Sequence, residues 1–318
     1  MGKQAVGMRV LAHFPGGPRV REQLAPHADW LDVRFCAEDD DEVFYTELPH
    51  AEVLWHVLRP LSADDVAQGQ RLHLIHKFGA GVNTIALDAA SEHGVAVANM
   101  PGANAPSVAE GALLLMLAAL RQLPRLDRDI RAGQGWPTDQ SLGDTVRDIG
   151  SCTVGLVGYG NIAKTLERIL VAMGATVLHT STREDGTATW RSLDDLLTSS
   201  DIVSLHLPLT NKTTGLLDAA ALARMKPGSV LVNTSRGAVI DETALVKALQ
   251  QGPLSTAGLD VFAQEPVSPE NPLLTLPNVV LTPHVTWFTA DTMTRYLEHA
   301  IDNCRRLHDG LPLADRVR

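Results

Sequence analysis

Short hydrophobic segments alternate with helical patterns along almost the whole chain. Most of these segments are nearly continuous in hydrophobicity, as expected for parallel strands that are covered on both faces. Such strands in alternation with helices are typical of the α/β class. The expected strands form two sets: Arg9–Phe14, Leu31–Cys36, Val53–Val57, Leu72–Lys77 and Val95–Ala98, then Thr153–Val157, Thr176–His179, Ile202–Leu207, Val230–Asn233, Ser255–Leu259 and Val279–Leu281.

A long helix is expected between the two strand sets, at about 107–121. A polar, glycine-containing stretch follows it as far as Gly150. The composition of that stretch is unlike a core element, and it fits either a dimer-forming arm or a plain surface loop. We therefore expect a homodimer that uses the helix and the arm.

The domain division follows from the two strand sets and from a last helix, Ala290–Leu307, which has no strand partner in the second set. A chain of 318 residues is too long for one ordinary core, so two domains are expected. We place a discontinuous domain at 1–99 with 288–318, and a continuous domain at 100–287.

Composition and charge narrow the class of protein. Hydrophobic residues make up 45% and charged residues 20%, which is typical of a globular protein without membrane spans. A net charge of −10 and the lack of a basic stripe argue against nucleic acid as a partner. The N-terminus shows no signal-peptide core, so we expect a cytoplasmic protein. Cys36, Cys152 and Cys304 fit no metal spacing and are expected to be reduced, so no metal is expected.

The clearest local motif is a glycine-rich turn between a strand and a helix. Residues 158–163 read Gly-x-Gly-x-x-Ala, directly after the strand at 153–157. Gly158 permits a tight turn, Gly160 allows backbone to approach a pyrophosphate, and Ala163 allows the helix to pack closely on the strand. The free N–H groups at the start of that helix suit phosphate. The expected dinucleotide-binding residues here are Gly158, Tyr159, Gly160, Asn161 and Ile162.

The end of the next strand reports which dinucleotide is bound. NAD sites usually place Asp or Glu there, about 20 residues after the turn, to bind the ribose hydroxyls. This chain has Ser181 at that position, followed by Thr182 and Arg183. Hydroxyls and a guanidinium suit a 2′-phosphate, whereas a carboxylate repels it. NADP is therefore the expected cofactor and NAD the alternative, in which Glu184 or Asp185 reaches the ribose.

Five segments together resemble the D-isomer-specific 2-hydroxyacid dehydrogenase family, and within it the glyoxylate and hydroxypyruvate reductases. They are 78–82 (Phe-Gly-Ala-Gly-Val), 158–163, 232–237 (Val-Asn-Thr-Ser-Arg-Gly), 258–266 (Gly-Leu-Asp-Val-Phe-Ala-Gln-Glu-Pro) and 281–284 (Leu-Thr-Pro-His). The resemblance implies a Rossmann-type doubly wound parallel sheet for the cofactor and a smaller flavodoxin-like α/β domain for the substrate. It also implies an NAD(P)-dependent oxidoreductase that acts on a small 2-oxo or D-2-hydroxy acid.

Three residues of these segments suit the reduction of a 2-oxo acid. Arg236 can bind the substrate carboxylate with two parallel hydrogen bonds and polarise the ketone. His284 can donate or accept the proton, because imidazole titrates near neutral pH. Glu265 can accept from the other ring nitrogen and favour the imidazolium. We expect these three residues to be catalytic.

Other roles are implied by the resemblance alone. Asp260 is expected to receive the nicotinamide carboxamide, and Pro208 and Thr234 are expected to line the cofactor. The backbone N–H groups of Ala80 and Gly81 are expected to bind the substrate carboxylate.

The sequence departs from the family pattern at two places. A loop that would cover the substrate carries Arg59, which suits either a second anionic group or a solvent-facing position. The catalytic histidine is followed by Trp287 and Phe288, which either shape the substrate pocket or pack a hinge.

Three alternatives bear on the function. A dinucleotide-sensing, corepressor-like binding protein on the same scaffold is one, and a phosphite dehydrogenase is another. Glu265 disfavours formate as the hydride donor, since the resembling formate enzymes carry Gln there. Because the sequence ends soon after the last helix, no added regulatory domain is expected.

Overall fold

A computed structural model describes residues 7–136 and 140–318. Residues 1–6, where the sequence shows no signal-peptide core, and residues 137–139 of the expected arm lie outside the described residues. Each strand expected from the sequence is present, and its ends are displaced by at most two residues.

The described chain divides into two compact units, residues up to Asn104 with Thr289–Arg318, and Ala105–Phe288. The elements of the first unit are β1 (Met8–Ala12), α1 (Pro18–Leu24), β2 (Leu31–Phe35), α2 (Asp41–Glu47), β3 (Val53–His56), α3 (Ala63–Gln68), β4 (Leu74–Lys77), α4 (Leu87–Glu92) and β5 (Ala96–Ala98). The elements of the second are α5 (Ala105–Leu120), α6 (Leu123–Arg131), α7 (Leu142–Thr145), β6 (Thr153–Val157), α8 (Asn161–Ala172), β7 (Thr176–Thr180), α9 (Leu193–Ser199), β8 (Ile202–Leu205), α10 (Ala219–Ala223), β9 (Ser229–Asn233), α11 (Glu242–Gln251), β10 (Leu254–Leu259) and β11 (Val279–Leu281). The last helix, α12 (Ala290–His308), belongs to the first unit.

The first unit is built on a five-stranded parallel sheet in the order β2-β1-β3-β4-β5. Every residue of β3 and β4 is buried. Burial on both sides is expected in such a sheet, because helices cover both of its faces, and here it includes the polar side chains of His76 and Lys77. α12 packs on α1 within the same unit.

The second unit is built on a six-stranded parallel sheet in the order β11-β10-β9-β8-β6-β7. The strand order reverses between β6 and β8, and ligands of doubly wound sheets bind at such a switch point. Next to β7 lies a further parallel bridge, between His179 and Trp190, which extends the sheet by one very short segment. The expected α/β class with two parallel sheets is therefore confirmed.

The polar stretch after α5 contains α6 and the single turn of α7. Several apolar side chains there and on α5 face solvent, among them Leu114, Leu123, Ile130 and Trp136. No single helix of the described residues is long and apolar enough to cross a membrane. The pair Ala105–Leu120 and Leu123–Arg131 passes that test together by length and composition only, and it bends by 62°.

Candidate functional site

The glycine-rich turn joins β6 to α8 at the switch point of the second sheet. Gly158 has a φ of +91°, and a Cβ at this position would lie 2.5 Å from the backbone oxygen of His206. Only glycine satisfies both conditions without strain. At Gly160, in contrast, a Cβ would meet nothing within 4 Å, so the turn faces open space there.

This turn fits a dinucleotide. Gly160 is the N-cap residue of α8 and provides no side chain to cap its N–H groups. Those groups and the positive end of the helix dipole suit a pyrophosphate. At the end of β9, the hydroxyl of Thr234 is buried and has no hydrogen-bond partner in the described part of the chain. A buried polar atom of this kind is usually satisfied by a ligand or an ordered water.

The residues after β7 are arranged as a short loop that ends on the sheet. The hydroxyl of Ser181 donates to the carbonyl oxygen of Arg183 at 2.6 Å. Thr182 and Arg183 are exposed. The two carboxylate oxygens of Asp185 accept from His179 and Thr187. Asp185 is thus engaged with protein groups, while the Arg183 side chain faces solvent.

Arg236 lies just beyond β9, where the backbone of the next residue packs closely against the loop after β10. The next residue is Gly237, where a Cβ would lie 1.9 Å from the carbonyl carbon of Phe262. Glycine at 237 therefore lets the loop after β9 contact the loop after β10. The amide of Asn233 donates to the carbonyl oxygen of Arg236 at 2.9 Å and fixes the turn. The sequence motif contained Asn233 and Gly237, and the structure shows that they shape the turn that carries Arg236.

Glu265 and His284 form the central pair of the site. Oε2 of Glu265 lies 2.7 Å from Nδ1 of His284. The other oxygen, Oε1, accepts from the backbone N–H of Phe262 at 2.9 Å. Because a carboxylate only accepts, Nδ1 of His284 carries a proton in this pair. The second ring nitrogen, Nε2, is not engaged by Glu265 and is chemically able to exchange a proton.

Burial and charge set the protonation of this group. Burial alone would raise the pKa of Glu265, but the hydrogen bond and charge of His284 outweigh it, with help from Phe262 and Arg236. The pKa of Glu265 therefore lies below its usual value. Burial lowers the pKa of Arg236, and Glu265 acts against that shift. An arginine remains charged under such shifts, so the site holds a cation and an ionised carboxylate at neutral pH.

Asp260 holds the loop that carries His284. It is fully buried, and its carboxylate accepts from Thr282, from the backbone N–H of Val285, and from both the N–H and the hydroxyl of Thr286. Those four bonds match the acceptor capacity of a carboxylate. The structure thus shows a positioning role that the sequence did not reveal, and the carboxamide contact stays a prediction.

Two residues beyond β8 also belong to this part of the second unit: Pro208, which is expected to line the cofactor, and His206. Pro208 is exposed, and its carbonyl oxygen accepts from the Thr213 hydroxyl at 2.7 Å. His206 lies one residue beyond β8, with Nε2 3.0 Å from the hydroxyl of Ser204. Burial lowers the pKa of His206 to about 4, so its ring is neutral at neutral pH. A neutral His206 has no imidazolium proton to donate at neutral pH.

Trp287 and Phe288 follow the loop that carries His284 and contact each other, with ring centroids 5.0 Å apart. The indole N–H of Trp287 donates to the carbonyl oxygen of His284 at 3.0 Å. Phe288 is exposed. Trp287 thus supports the backbone of His284, and its contact with the substrate stays a prediction.

The expected substrate residues of the first unit lie after β4 and after β3. Neither the N–H of Ala80 nor that of Gly81 donates to another described residue. The amide of Asn99 donates to the carbonyl oxygen of Ala80 at 2.7 Å and orients this turn. These free N–H groups are available to an anion, and their contact with a carboxylate stays a prediction.

Arg59 is engaged within its own unit. Its guanidinium forms an ion pair with Asp41 at 2.8 Å and lies over the ring of Phe44. It also donates a hydrogen bond to the hydroxyl of Tyr45 at 3.3 Å. The backbone N–H groups of Leu58 and Arg59 both donate to Oε1 of Glu38. These contacts anchor the loop, and they could not be predicted from the sequence because all partners lie elsewhere in the chain.

Comparison with known proteins places these features in a family. Residues 113–286 match the NAD-binding domain of D-isomer specific 2-hydroxyacid dehydrogenases. The chain is 36% identical to D-3-phosphoglycerate dehydrogenase of Mycobacterium bovis over 87% of its own length but only 54% of that relative. It is 36% identical to glyoxylate reductase of Aeropyrum pernix over 82% of this chain and 81% of that one. A Thermus thermophilus crystal structure superposes with a TM-score of 0.88 at 32% identity, covering 98% of this chain and 100% of that one.

The chain belongs to the D-isomer specific 2-hydroxyacid dehydrogenase family. Its cofactor is a nicotinamide dinucleotide. The chain spans about half the length of the phosphoglycerate dehydrogenases that it matches.

Proposed function

We propose that this chain transfers a hydride between a nicotinamide dinucleotide and a small 2-oxo or D-2-hydroxy acid. The observation that carries the proposal is the 2.7 Å hydrogen bond between Glu265 and Nδ1 of His284. The charge of Arg236 acts on the same carboxylate. A cation, an ionised carboxylate and a proton-exchanging imidazole are the groups that reduction of a 2-oxo acid requires.

The three residues divide the work in this proposal. The nicotinamide supplies the hydride in reduction and accepts it in oxidation. Arg236 binds the carboxylate and polarises the keto group, which acquires negative charge as the hydride arrives. Nε2 of His284 gives its proton to that oxygen, and takes it back in the reverse direction. Glu265 keeps the ring oriented and stabilises the imidazolium before the proton leaves.

Glyoxylate and hydroxypyruvate are the substrates that we propose first. Support comes from the glyoxylate reductase of Aeropyrum pernix, which this chain matches over most of both lengths. The test is a panel of about a dozen 2-oxo acids with reduced coenzyme, followed by the loss of its absorbance. Turnover of either acid with the highest kcat/KM supports the proposal. Dinucleotide binding without turnover of any acid contradicts it and indicates a sensor protein.

We propose NADP as the preferred coenzyme. Ser181 stands where a ribose-binding carboxylate would be, and Arg183 is exposed beside it. A charge-assisted contact is worth about 1.5–3 kcal/mol, which converts to roughly a ten- to hundredfold preference in kcat/KM for NADPH over NADH. Ser181→Asp combined with Arg183→Ala should reverse the preference by repulsion. An equal or larger kcat/KM with NADH in the wild type would show that a carboxylate such as Glu184 reads the ribose.

We also propose that the protein is a homodimer formed through α5 and the stretch that follows it. Leu114 is 59% exposed and Trp136 is 82% exposed, and Leu123 and Ile130 also face solvent. These exposed apolar side chains all lie within residues 114–136, and contiguous apolar surface is typical of an interaction site. Sedimentation should give the mass of a dimer for the wild type and of a monomer for Leu114→Asp. A wild-type monomer at every concentration would refute the proposal.

A further inference from the structure

The loop at residues 181–186, which follows β7, is closed at its base by the backbone. The N–H of His179 donates to the carbonyl oxygen of Thr189 at 3.0 Å, and the N–H of Arg191 donates to the carbonyl oxygen of His179 at 2.9 Å. These bonds attach the chain after the loop to the edge of β7. Both ends of the loop are therefore held on one strand, and its tip carries Arg183.

Side chains close the loop a second time. The imidazole of His179 is fully buried, and its Nε2–H donates to Oδ2 of Asp185 at 2.8 Å. Oδ1 of Asp185 accepts from the backbone N–H and the hydroxyl of Thr187, at 3.0 and 2.7 Å. These contacts, those of Thr187 foremost, lower the pKa of Asp185 to about 2. Asp185 is thus an ionised clasp between the far end of the loop and the strand.

The same imidazole also contacts the glycine-rich turn. The ring of Tyr159 stacks on the ring of His179, with centroids 3.7 Å apart and planes 11° from parallel. The hydroxyl of Tyr159 in turn donates to Glu167 on α8. His179 therefore links the turn that suits the pyrophosphate to the loop that follows β7.

Arg183 depends on this arrangement for its position. No ion pair or side-chain hydrogen bond holds its guanidinium among the residues that the structure describes, and only its carbonyl oxygen is bound, by Ser181. A long, exposed side chain loses conformational entropy when it binds an anion. A loop that is already fixed at its base reduces that cost, as preorganisation does in general.

We propose that Asp185 and His179 are positioning residues for coenzyme selectivity, and that they hold the 181–186 loop so that Arg183 and Ser181 meet the 2′-phosphate of NADP. This inference rests on the NADP preference proposed above. Asp185 contacts no part of the dinucleotide in this account, and it acts only through the loop.

Two physical effects oppose each other at Asp185, and this makes the inference testable. The carboxylate is negative and lies two residues from Arg183, so by charge alone it weakens the binding of a phosphate. Its removal would then strengthen selectivity. If the carboxylate acts as a clasp, its removal weakens selectivity instead. The two accounts predict opposite signs.

The measurement is calorimetric titration of the full chain with adenosine 2′,5′-bisphosphate and with 5′-AMP, which differ only by the 2′-phosphate. The dissociation constant of 5′-AMP divided by that of adenosine 2′,5′-bisphosphate is the selectivity ratio, and it reports selectivity without catalysis. Asp185→Asn should lower this ratio by about tenfold, the equivalent of one charge-assisted contact, and leave the affinity for 5′-AMP unchanged. Thr187→Val removes one hydroxyl of the clasp without a charge change and should lower the ratio less. The ratio of kcat/KM for NADPH and NADH should fall in parallel.

Asp194→Asn is the matched control, because Asp194 pairs with Arg224 in the same unit and forms no hydrogen bond or ion pair with the described loop residues 181–186. A wild-type ratio near one refutes the NADP preference and the positioning role together. A high wild-type ratio that survives both clasp variants refutes the positioning role alone. A higher ratio in Asp185→Asn shows that charge dominates, and an equal loss of both ligands shows that Asp185 contacts the ribose. Either result overturns the inference.

Discussion

The carbonyl oxygen of Asp260 accepts a hydrogen bond of 2.7 Å from the backbone N–H of His284. His284 has a φ of +55°, a left-handed conformation that non-glycine residues adopt infrequently. The surrounding structure must hold such a residue in place. The carboxylate of Asp260 does so by binding Thr282, Val285 and Thr286 on both sides of it. The direction of the imidazole is therefore set from the end of β10.

Asp260→Asn should misplace His284 and destabilise the fold. The amide has fewer acceptor sites than the carboxylate, so buried donors lose partners at a cost of about 1–3 kcal/mol. We expect that loss in urea unfolding, together with a fall in kcat that exceeds any change in coenzyme affinity. Thr286→Val removes one of the four donors and should have a smaller effect on both. Wild-type stability and kcat in Asp260→Asn would show that the loop that carries His284 keeps its conformation without the Asp260 carboxylate.

Glu265→Gln should change the pH dependence of reduction. The pKa of Glu265 is lowered, so this carboxylate stays ionised throughout the neutral range and does not itself titrate there. The ionised form favours the imidazolium of His284, which an amide does not. In the variant, the reduction rate at neutral pH should fall, and the profile of the rate against pH should change. A superimposable profile of kcat against pH would contradict the pairing in solution.

The lowered pKa of Glu265 also has a consequence for stability. A carboxylate with a folded pKa below its unfolded value stabilises the fold above the unfolded pKa, which is about 4.3 for Glu. That contribution is lost as the pH falls through the lower folded pKa. Wild type and Glu265→Gln should therefore differ most in unfolding free energy at neutral pH and converge in acid.

Gly237→Ala should separate the loops that carry Arg236 and Glu265. The new Cβ would overlap the backbone of Phe262, so one of the two loops must move. Overpacking of this kind costs about 1–3 kcal/mol, and kcat should fall with it. Gly143→Ala is the control, because a Cβ there meets nothing within 4 Å. Equal stability and activity of the two variants would show that the close approach is unimportant.

The strands could be predicted from the sequence, and the candidate site residues could be proposed from it, because both leave local signals. Continuous apolar segments mark the strands, and Gly158 marks the turn by its motif. The supporting contacts left no such signal. Asp260 binds a loop more than 20 residues away, and Arg59 pairs with Asp41 on a different element. In the sequence, a carboxylate or guanidinium that binds a group far along the chain cannot be distinguished from one that faces solvent.

The kcat of His284→Ala reports whether His284 exchanges the proton with the substrate. The substrate is the most active 2-oxo acid of the panel, and coenzyme affinity is titrated in parallel. We predict that kcat falls by about 10²–10⁴-fold while the dissociation constant of the reduced coenzyme stays unchanged. His93→Ala, at an exposed position of the first unit, should retain wild-type kcat. Near-normal turnover in His284→Ala would show that another group exchanges the proton.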